Sequence, residues 1–158
     1  MGSLLMTTGC LSALLLTSSS AGARAWSDRS EEIRLKAENR FYGLSWEVDI
    51  WRDRDGFHRT TTVTALFSED RLTETVTVTS ADVKNLWQTV ESLHCWGGPK
   101  HKDWTLQDTE RGTVFLNRKG RKMTFNYAEA WDVAGAISKF GQLDNLLATA
   151  RQKHFGNG

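Results

Sequence analysis

Polar and apolar residues alternate from residue 41 onward, and a period of two is typical of strands in a half-buried sheet. Two further segments, residues 57–67 and 71–79, continue the alternation. Asp55-Gly56, between the first strand and the second, is the strongest hairpin signal in the chain because both residues tolerate positive φ. The pattern predicts three antiparallel strands in sequence. Their predicted core residues are Tyr42, Leu44, Trp46, Val48, Ile50, Val63, Ala65, Phe67, Leu72, Val76 and Val78.

Residues 81–93 change to the three- and four-residue spacing of an amphipathic helix, and Ser80 is its predicted N-cap. The remaining predicted elements are a hairpin of residues 113–117 and 122–127, a short strand at residues 104–108, and a last helix over roughly residues 132–152. Gly135 and Gly141 are expected to weaken that last helix by about 1 kcal/mol each relative to alanine.

The predicted element order is β-β-β-α-β-β-α, which indicates an α+β fold. Because a sheet with one solvated face buries the other, we expect a single antiparallel sheet of about five strands with two main helices packed on one face. Residues 41–153 are predicted to form this one domain. Residues 26–40 are strongly charged and are predicted to be a short exposed helix or a mobile lead-in, and residues 154–158 are predicted to be a tail.

The first 25 residues have the composition of an export signal. An interrupted apolar segment leads into small residues and Ala23-Arg24-Ala25, a spacing that a signal peptidase cleaves. We therefore expect export to the periplasm or out of the cell. Lipid attachment at Cys10 is less favoured, because Thr7 stands where a lipoprotein signal requires an apolar residue. No Lys or Arg precedes the apolar segment, which leaves an uncleaved anchor or a different start open, but a segment this short and interrupted predicts no stable membrane span.

Charge and cysteine content narrow the function classes. The chain has 20 basic and 19 acidic residues, and Arg24 is the only charged residue of the leader, so the exported part carries no net charge. It therefore lacks the basic surface that a nucleic-acid partner needs. Cys95 is the only cysteine after the leader, which excludes an intramolecular disulfide, so stability has to come from packing.

The densest group of reactive residue types is His94-Cys95, followed by His101 and Asp103. In an enzyme, Cys95 would be a nucleophile with His101 as its base, since a thiol needs a base to ionise at neutral pH. Cys95 follows the C-terminal end of the predicted helix, however, where the helix dipole disfavours a thiolate. A zinc site would lack a fourth ligand at a familiar spacing. We therefore expect a buried thiol, no enzyme activity, no metal and no cofactor.

The first hairpin is the predicted contact surface. Alternating charges at a turn, with an aromatic residue and a nearby tryptophan, are typical of a recognition loop. The candidate partner-binding residues are Trp51, Arg52, Arg54, Gly56, Phe57, His58 and Arg59. The same charges also fit a solvated turn whose residues pair with one another. Threonines alternate on the two strands that follow, which predicts either an ordinary solvent-facing sheet surface or an ice-binding array.

The segment Arg54-Asp55-Gly56-Phe57, within the strand–hairpin–helix–hairpin–helix order, resembles emfourin-type proteinaceous inhibitors of thermolysin-like metalloproteases. In those small α+β proteins a Gly-Gly-Phe segment follows the first strand, whereas here Asp55 replaces the first glycine and residues 71–79 look like an added strand. The resemblance covers about residues 44–57 and 78–150. It implies a small α+β inhibitor in which the hairpin residues are contacts.

The sequence thus predicts an exported, non-enzymatic binding domain that holds a protein partner, either a protease, as a proteinaceous inhibitor, or an envelope protein. One alternative is a cysteine-dependent hydrolase that uses Cys95 and His101. The other is an envelope-associated structural protein with no discrete site. The sequence leaves the oligomeric state open.

Overall fold

The computed structural model describes residues 30–68, 70–97 and 110–155, so the predicted leader and the predicted strand 104–108 lie outside the described residues. In chain order the elements are β1 (Glu31–Asn39), β2 (Leu44–Asp53), β3 (Gly56–Ala65), β4 (Arg71–Val78), α1 (Ser80–Ser92), β5 (Glu110–Arg118), β6 (Arg121–Asn126), α2 (Trp131–Phe140) and α3 (Leu143–Phe155). The strands form one antiparallel sheet in the order β4-β3-β2-β1-β5-β6. The predicted α+β fold with a single antiparallel sheet is confirmed, with six strands instead of about five and three helices instead of two.

Residues 31–39 are a central strand, so the prediction of a short helix or mobile lead-in is wrong for this segment. β1 lies between β2 and β5, and its residues Ile33, Leu35 and Ala37 are buried in the core. The opposite side of the strand carries charged residues at every position: Glu32, Arg34, Lys36 and Glu38. Three apolar residues among so many charged ones are too short an alternation to predict a strand from the sequence. The strand forms because it pairs with β2 on one side and β5 on the other.

The apolar side of the sheet and the three helices form one core. In the middle of the sheet, buried side chains meet in cross-strand rows: Ile50, Ile33 and Leu116 in one row, and Val48, Leu35 and Val114 in the next. The helices cover them with the buried residues Val83, Leu86, Trp87 and Val90 of α1, Val133, Ala134 and Ile137 of α2, and Leu143 and Ala150 of α3. Burying one such aliphatic side chain contributes about 1.5–3 kcal/mol. We call the other side of the sheet the open face.

The N-cap of α1 is Thr79 and not the predicted Ser80. Thr79 has an extended backbone, and its Oγ1 accepts a hydrogen bond from the backbone N–H of Asp82 at 3.1 Å. The Thr79 hydroxyl in turn donates to the Asp82 carboxylate at 2.6 Å. The cap and the acidic first turn therefore stabilise the start of the helix together.

The predicted last helix is divided into α2 and α3, which meet at Gly141 and Gln142. Gln142 has a φ of 51°, which no α-helix contains. From β3 below, Arg59 Nη1 donates to the Phe140 carbonyl at 3.0 Å, and Thr61 Oγ1 donates to the Gly141 carbonyl at 2.7 Å. A continuing helix would need these carbonyls for its own backbone bonds, so their capture by β3 ends α2 and allows the chain to turn.

None of the helices in the described part of the chain is both long enough and apolar enough to cross a membrane.

A pair of glycine substitutions tests the packing of the junction between α2 and α3. An added Cβ at Gly141 would lie 2.7 Å from Val48 Cγ2, so Gly141→Ala is expected to lower the free energy of unfolding by about 1–3 kcal/mol. At the exposed Gly135 nothing lies within 4 Å of an added Cβ, so Gly135→Ala is expected to raise it by about 0.4–1 kcal/mol. Urea unfolding followed by circular dichroism measures both changes. Effects of the same sign would contradict a tightly packed junction.

Candidate functional site

The turn between β2 and β3 defines one end of the sheet, the hairpin end. Asp53 Oδ1 accepts a hydrogen bond from the Asp55 backbone N–H at 2.8 Å and lies 3.0 Å from His58 Nε2. Gly56 has a φ of 129°, in the region that favours glycine. The predicted hairpin is confirmed, and the turn is held in shape by its own residues.

Aromatic contacts stiffen both sides of the hairpin end. On the open face the rings of Trp51 and His58 stack, with centroids 5.4 Å apart and planes 27° apart. On the core side the guanidinium of Arg52 lies 5.4 Å from the centroid of the Phe57 ring. These contacts preorganise the backbone on both sides of the turn.

Only part of the predicted contact set is accessible. The exposed members are Arg52 and Arg54, and the half-buried members are Trp51, Gly56 and His58. Phe57 and Arg59 are buried at 7% and 6% exposure, because the odd-numbered residues of β3 face the helices. Arg59 is also held in an ion pair with Glu74, with 2.6 Å between Nη2 and Oε2. Phe57 and Arg59 are therefore packing residues of the domain, and the surface at this end is smaller than the sequence predicts.

Cys95 lies in a short 3-10 turn after α1, and its side chain is buried. Burial raises the pKa of the Cys95 thiol, and the nearby Glu91 carboxylate raises it further. His94 is exposed on a backbone with a φ of 56°. His101 and Asp103 lie outside the described residues. Within the described ranges, no three His, Cys, Asp or Glu side chains are grouped as metal ligands.

Packing contacts surround this cysteine. Trp96 stacks on Trp87 with ring centroids 6.2 Å apart, and the guanidinium of Arg121 lies 4.6 Å from the Trp96 ring centroid. Arg118 forms a 2.7 Å ion pair with Glu91, and this hydrogen-bonded contact lowers the pKa of the Glu91 carboxyl. The segment after α1 is thus fastened to the β5–β6 hairpin by rings and guanidinium groups.

The alternating threonines form one array on the open face, as the sequence pattern predicts for paired strands. Thr60 and Thr75 are paired with 3.0 Å between their hydroxyl oxygens, and Thr62 and Thr73 with 3.2 Å. Cross-strand threonine pairs of this kind stabilise a sheet. The array therefore has a structural role whether or not it also binds a ligand.

The opposite end of the sheet is the feature that the sequence pattern failed to reveal. We call it the aromatic end, and its large exposed apolar side chains are Phe41, Tyr42, Leu66, Phe67 and Trp131. The turns after β1 and β3 are joined there, because the Leu66 N–H donates to the Gly43 carbonyl at 2.7 Å. The Phe67 ring covers Gly43, where an added Cβ would lie 2.5 Å from a ring carbon. Phe67 nevertheless remains 87% exposed and Phe41 81%.

A groove of about 490 Å³ opens at this end between the sheet, α2 and α3, and we call it the aromatic groove. Four aromatic side chains line it: Tyr42 and Trp131 are exposed, and Trp46 and Tyr127 are buried. The rings of Tyr127 and Trp131 meet edge to face with centroids 5.4 Å apart. The guanidinium of Arg151 lies 4.8 Å from the Tyr42 ring centroid. The volume is within the range of ligand sites, about 300–1,000 Å³.

The charged residues of the aromatic groove balance one another, with the acidic Glu110 and Asp144 opposite in charge to Lys139 and Arg151. Burial raises the pKa of the Tyr127 hydroxyl far above its usual value, and the nearby Glu110 carboxylate raises it further. Tyr127 is therefore a neutral phenol, and its hydroxyl is already hydrogen-bonded to the Glu110 side chain. The groove therefore has an aromatic floor and a charged rim whose net charge is zero.

A larger depression of about 650 Å³ lies between α1, α2 and β4. Its buried cation, Arg59, already bonds Glu74 and the Phe140 carbonyl, and its Asp82 already bonds the Thr79 cap. Two of the three charged side chains that line this depression are thus engaged within the chain, and it lacks the four aromatic side chains of the aromatic groove. The aromatic groove is therefore the better candidate for a binding site.

Tyr42 and Phe67 were predicted to be core residues, and this prediction is wrong for both. β2 begins only at Leu44 and β3 already ends at Ala65, so both aromatic residues belong to turns. Gly43, with a φ of 62°, is the one local sign that the chain turns before Leu44. Trp131 reaches the groove from the start of α2, which no short-range pattern could have predicted.

Alkylation tests the state of Cys95. Because its thiol is buried and its pKa is raised, iodoacetamide at neutral pH is expected to leave Cys95 unmodified in the folded protein and to modify it after unfolding in denaturant. Mass spectrometry of the peptide that contains Cys95 measures both. Rapid modification of the folded protein would contradict the buried thiol and revive the cysteine-hydrolase alternative.

No protein-family model matches this chain, and a search of curated proteins finds no match either. A fold by itself does not imply a function, which depends on the residues of a site. The function of this chain therefore depends on the residues of its surfaces, of which the hairpin end and the aromatic end with its groove are the two candidates.

Proposed function

We propose that this protein is an exported, non-enzymatic binding domain that holds a protein partner at its aromatic end. One observation carries the proposal. Of the six large apolar side chains that are exposed in the described ranges, all but Leu93 are at that end. Concentrated apolar surface on a water-soluble domain is typical of an interaction site.

The chemistry of the aromatic end favours a protein over a small ion. Tryptophan and tyrosine contribute most of the binding energy in many protein interfaces, and here Trp131 and Tyr42 line the mouth of the groove. Because the charges around the groove balance, they favour neither anions nor cations. They resemble the polar rim that surrounds the apolar core of a protein interface. We expect the partner to place an apolar side chain in the groove.

The absence of catalysis is also part of the proposal. The support is the state of Cys95, a protonated and buried thiol within a packed cluster. A nucleophilic cysteine requires exposure and a lowered pKa, and Cys95 has neither.

A second candidate function is protease inhibition through the hairpin end. Its support is the rigid turn, in which the Asp53 carboxylate organises the backbone while Arg54 and Asp55 remain exposed. An inhibitory loop gains affinity when it is preorganised before binding. The resemblance of this segment to emfourin-type inhibitors points to a metalloprotease as the partner.

Site-specific photocrosslinking in the producing cell distinguishes the two surfaces. The photoreactive residue p-benzoylphenylalanine is placed in turn at Phe67, at Arg54 and at Leu93, an exposed apolar residue after α1 that belongs to neither of the two candidate contact sets. We expect a discrete protein adduct from position 67 and none from positions 54 and 93. Immunoblotting detects the adducts, and mass spectrometry identifies the partner.

Two outcomes of this experiment would contradict a partner site at the aromatic end. An adduct from position 54 alone would assign the partner to the hairpin end and favour the inhibitor. Adducts of equal yield from all three positions would indicate nonspecific contact and contradict a discrete interface.

A further inference from the structure

One edge of the sheet has few of the features that protect against pairing with another strand. Within the residues described, β4 pairs with β3 on one side and no strand lies on its other side. Its eight residues stay in continuous register with β3 and include no proline, glycine or lysine. Natural proteins usually interrupt such an edge with these residues or with a bulge, because a regular edge is a template for another strand.

The register between β3 and β4 determines which backbone groups of β4 point away from β3. The Ala65 N–H donates to the Asp70 carbonyl, so this pair is a hydrogen-bonded one. Hydrogen-bonded and non-hydrogen-bonded pairs alternate along an antiparallel ladder. The even-numbered residues of β4 therefore direct their backbone groups toward β3. The residues that direct N–H and C=O groups outward are Arg71, Thr73, Thr75 and Thr77.

The two edge strands of the sheet, β4 and β6, differ in their charged residues. On β4 the Glu74 carboxylate is on the core side and forms an ion pair with Arg59, which leaves Arg71 as the other charged residue of the strand. The opposite edge, β6, has six residues and begins with the adjacent basic residues Arg121 and Lys122. Adjacent like charges discourage edge-to-edge pairing, so β4 is the edge that is suited to it.

We propose that two copies of the chain pair through β4, antiparallel and about a two-fold axis, into one continuous sheet. Thr75 lies on the axis opposite the partner's Thr75, and Thr73 lies opposite the partner's Thr77. In this register each of these pairs exchanges two backbone hydrogen bonds, because their N–H and C=O groups point outward. A two-fold pairing is closed, and it leaves the basic β6 strands as the two outer edges.

Side chains explain why a second copy fits and why this register is preferred. On the open face, the Thr60–Thr75 hydroxyl pair continues into the same pair of the other copy and forms an unbroken threonine row. On the core side, Glu74 meets the partner's Val76, and Leu72 meets the partner's Val78. Of the two neighbouring registers, one would place two Glu74 carboxylates opposite each other, and like charges in that position are destabilising. The other would place Val76 opposite the partner's Val76 and would pair only five residues of each β4 strand instead of seven.

The molecular mass of the purified protein in solution tests the pairing. Sedimentation equilibrium is expected to give twice the mass of one chain, and Thr75→Lys is expected to reduce it to a single chain. Thr124→Lys is the matched control, because Thr124 is on β6 at the other end of the same cross-strand row. A monomeric wild-type protein at micromolar concentration would overturn the proposal, and so would dissociation caused by Thr124→Lys and not by Thr75→Lys.

Disulfide trapping tests the register. A hydrogen-bonded antiparallel pair has Cα atoms about 5.5 Å apart, within disulfide range, so Thr75→Cys is expected to cross-link two chains under mild oxidation. Two Thr73→Cys residues would be about 13 Å apart along the strands, so this variant is expected to stay uncross-linked. Both variants contain the same native cysteines, which makes one the control for the other. Cross-linking of Thr73→Cys as complete as that of Thr75→Cys would show that the proposed pairing is wrong.

Discussion

The structure depends on two hydrogen bonds from β3: a part-buried one from Arg59 to the Phe140 carbonyl and a buried one from Thr61 to the Gly141 carbonyl. A guanidinium in a core is destabilising unless its charge is compensated. Here the Glu74 carboxylate compensates it, and the C-terminal end of α2 is where a helix dipole favours a cation. These bonds end α2, turn the chain and hold α3 over the sheet. Because α2 and α3 form one wall of the aromatic groove, the candidate site exists only where this polar contact inside the core is made.

The three surfaces of the domain have different physical characters. The hairpin end is rigid and charged, and most of its aromatic surface is used in contacts within the turn. The aromatic end leaves large apolar side chains in solvent, which is an unfavourable arrangement for an isolated domain and a favourable one for a domain with a partner. The outer edge of β4 offers backbone groups instead of side chains. Pairing there would leave both ends of the sheet accessible, so a dimer would present two aromatic ends.

Several elements follow from local patterns and others do not. The first hairpin, α1 and the β5–β6 hairpin were predictable, because alternation, capping residues and turn residues are properties of short segments. β1 was not predictable, because its three apolar residues are a weak local pattern and the strand is stabilised by pairing with β2 and β5. Arg59 was predicted to be a surface residue because a charge next to a turn usually is one, and its core position depends on partners far away in the chain. The aromatic groove was missed for the same reason, because its lining comes from β1, β2, β5, two turns and two helices that are far apart in the sequence.

Hydrogen–deuterium exchange of Thr61→Val, compared with Thr64→Val on the open face of the same strand, tests whether the hydrogen bonds from β3 hold α3 over the sheet. Valine keeps the branched shape of threonine but cannot donate to the Gly141 carbonyl. For Thr61→Val we expect faster exchange in α3 and a free energy of unfolding lower by about 1–3 kcal/mol. For Thr64→Val we expect α3 to exchange at the wild-type rate. Wild-type exchange of α3 in the Thr61→Val protein would show that this hydrogen bond does not hold α3 in place.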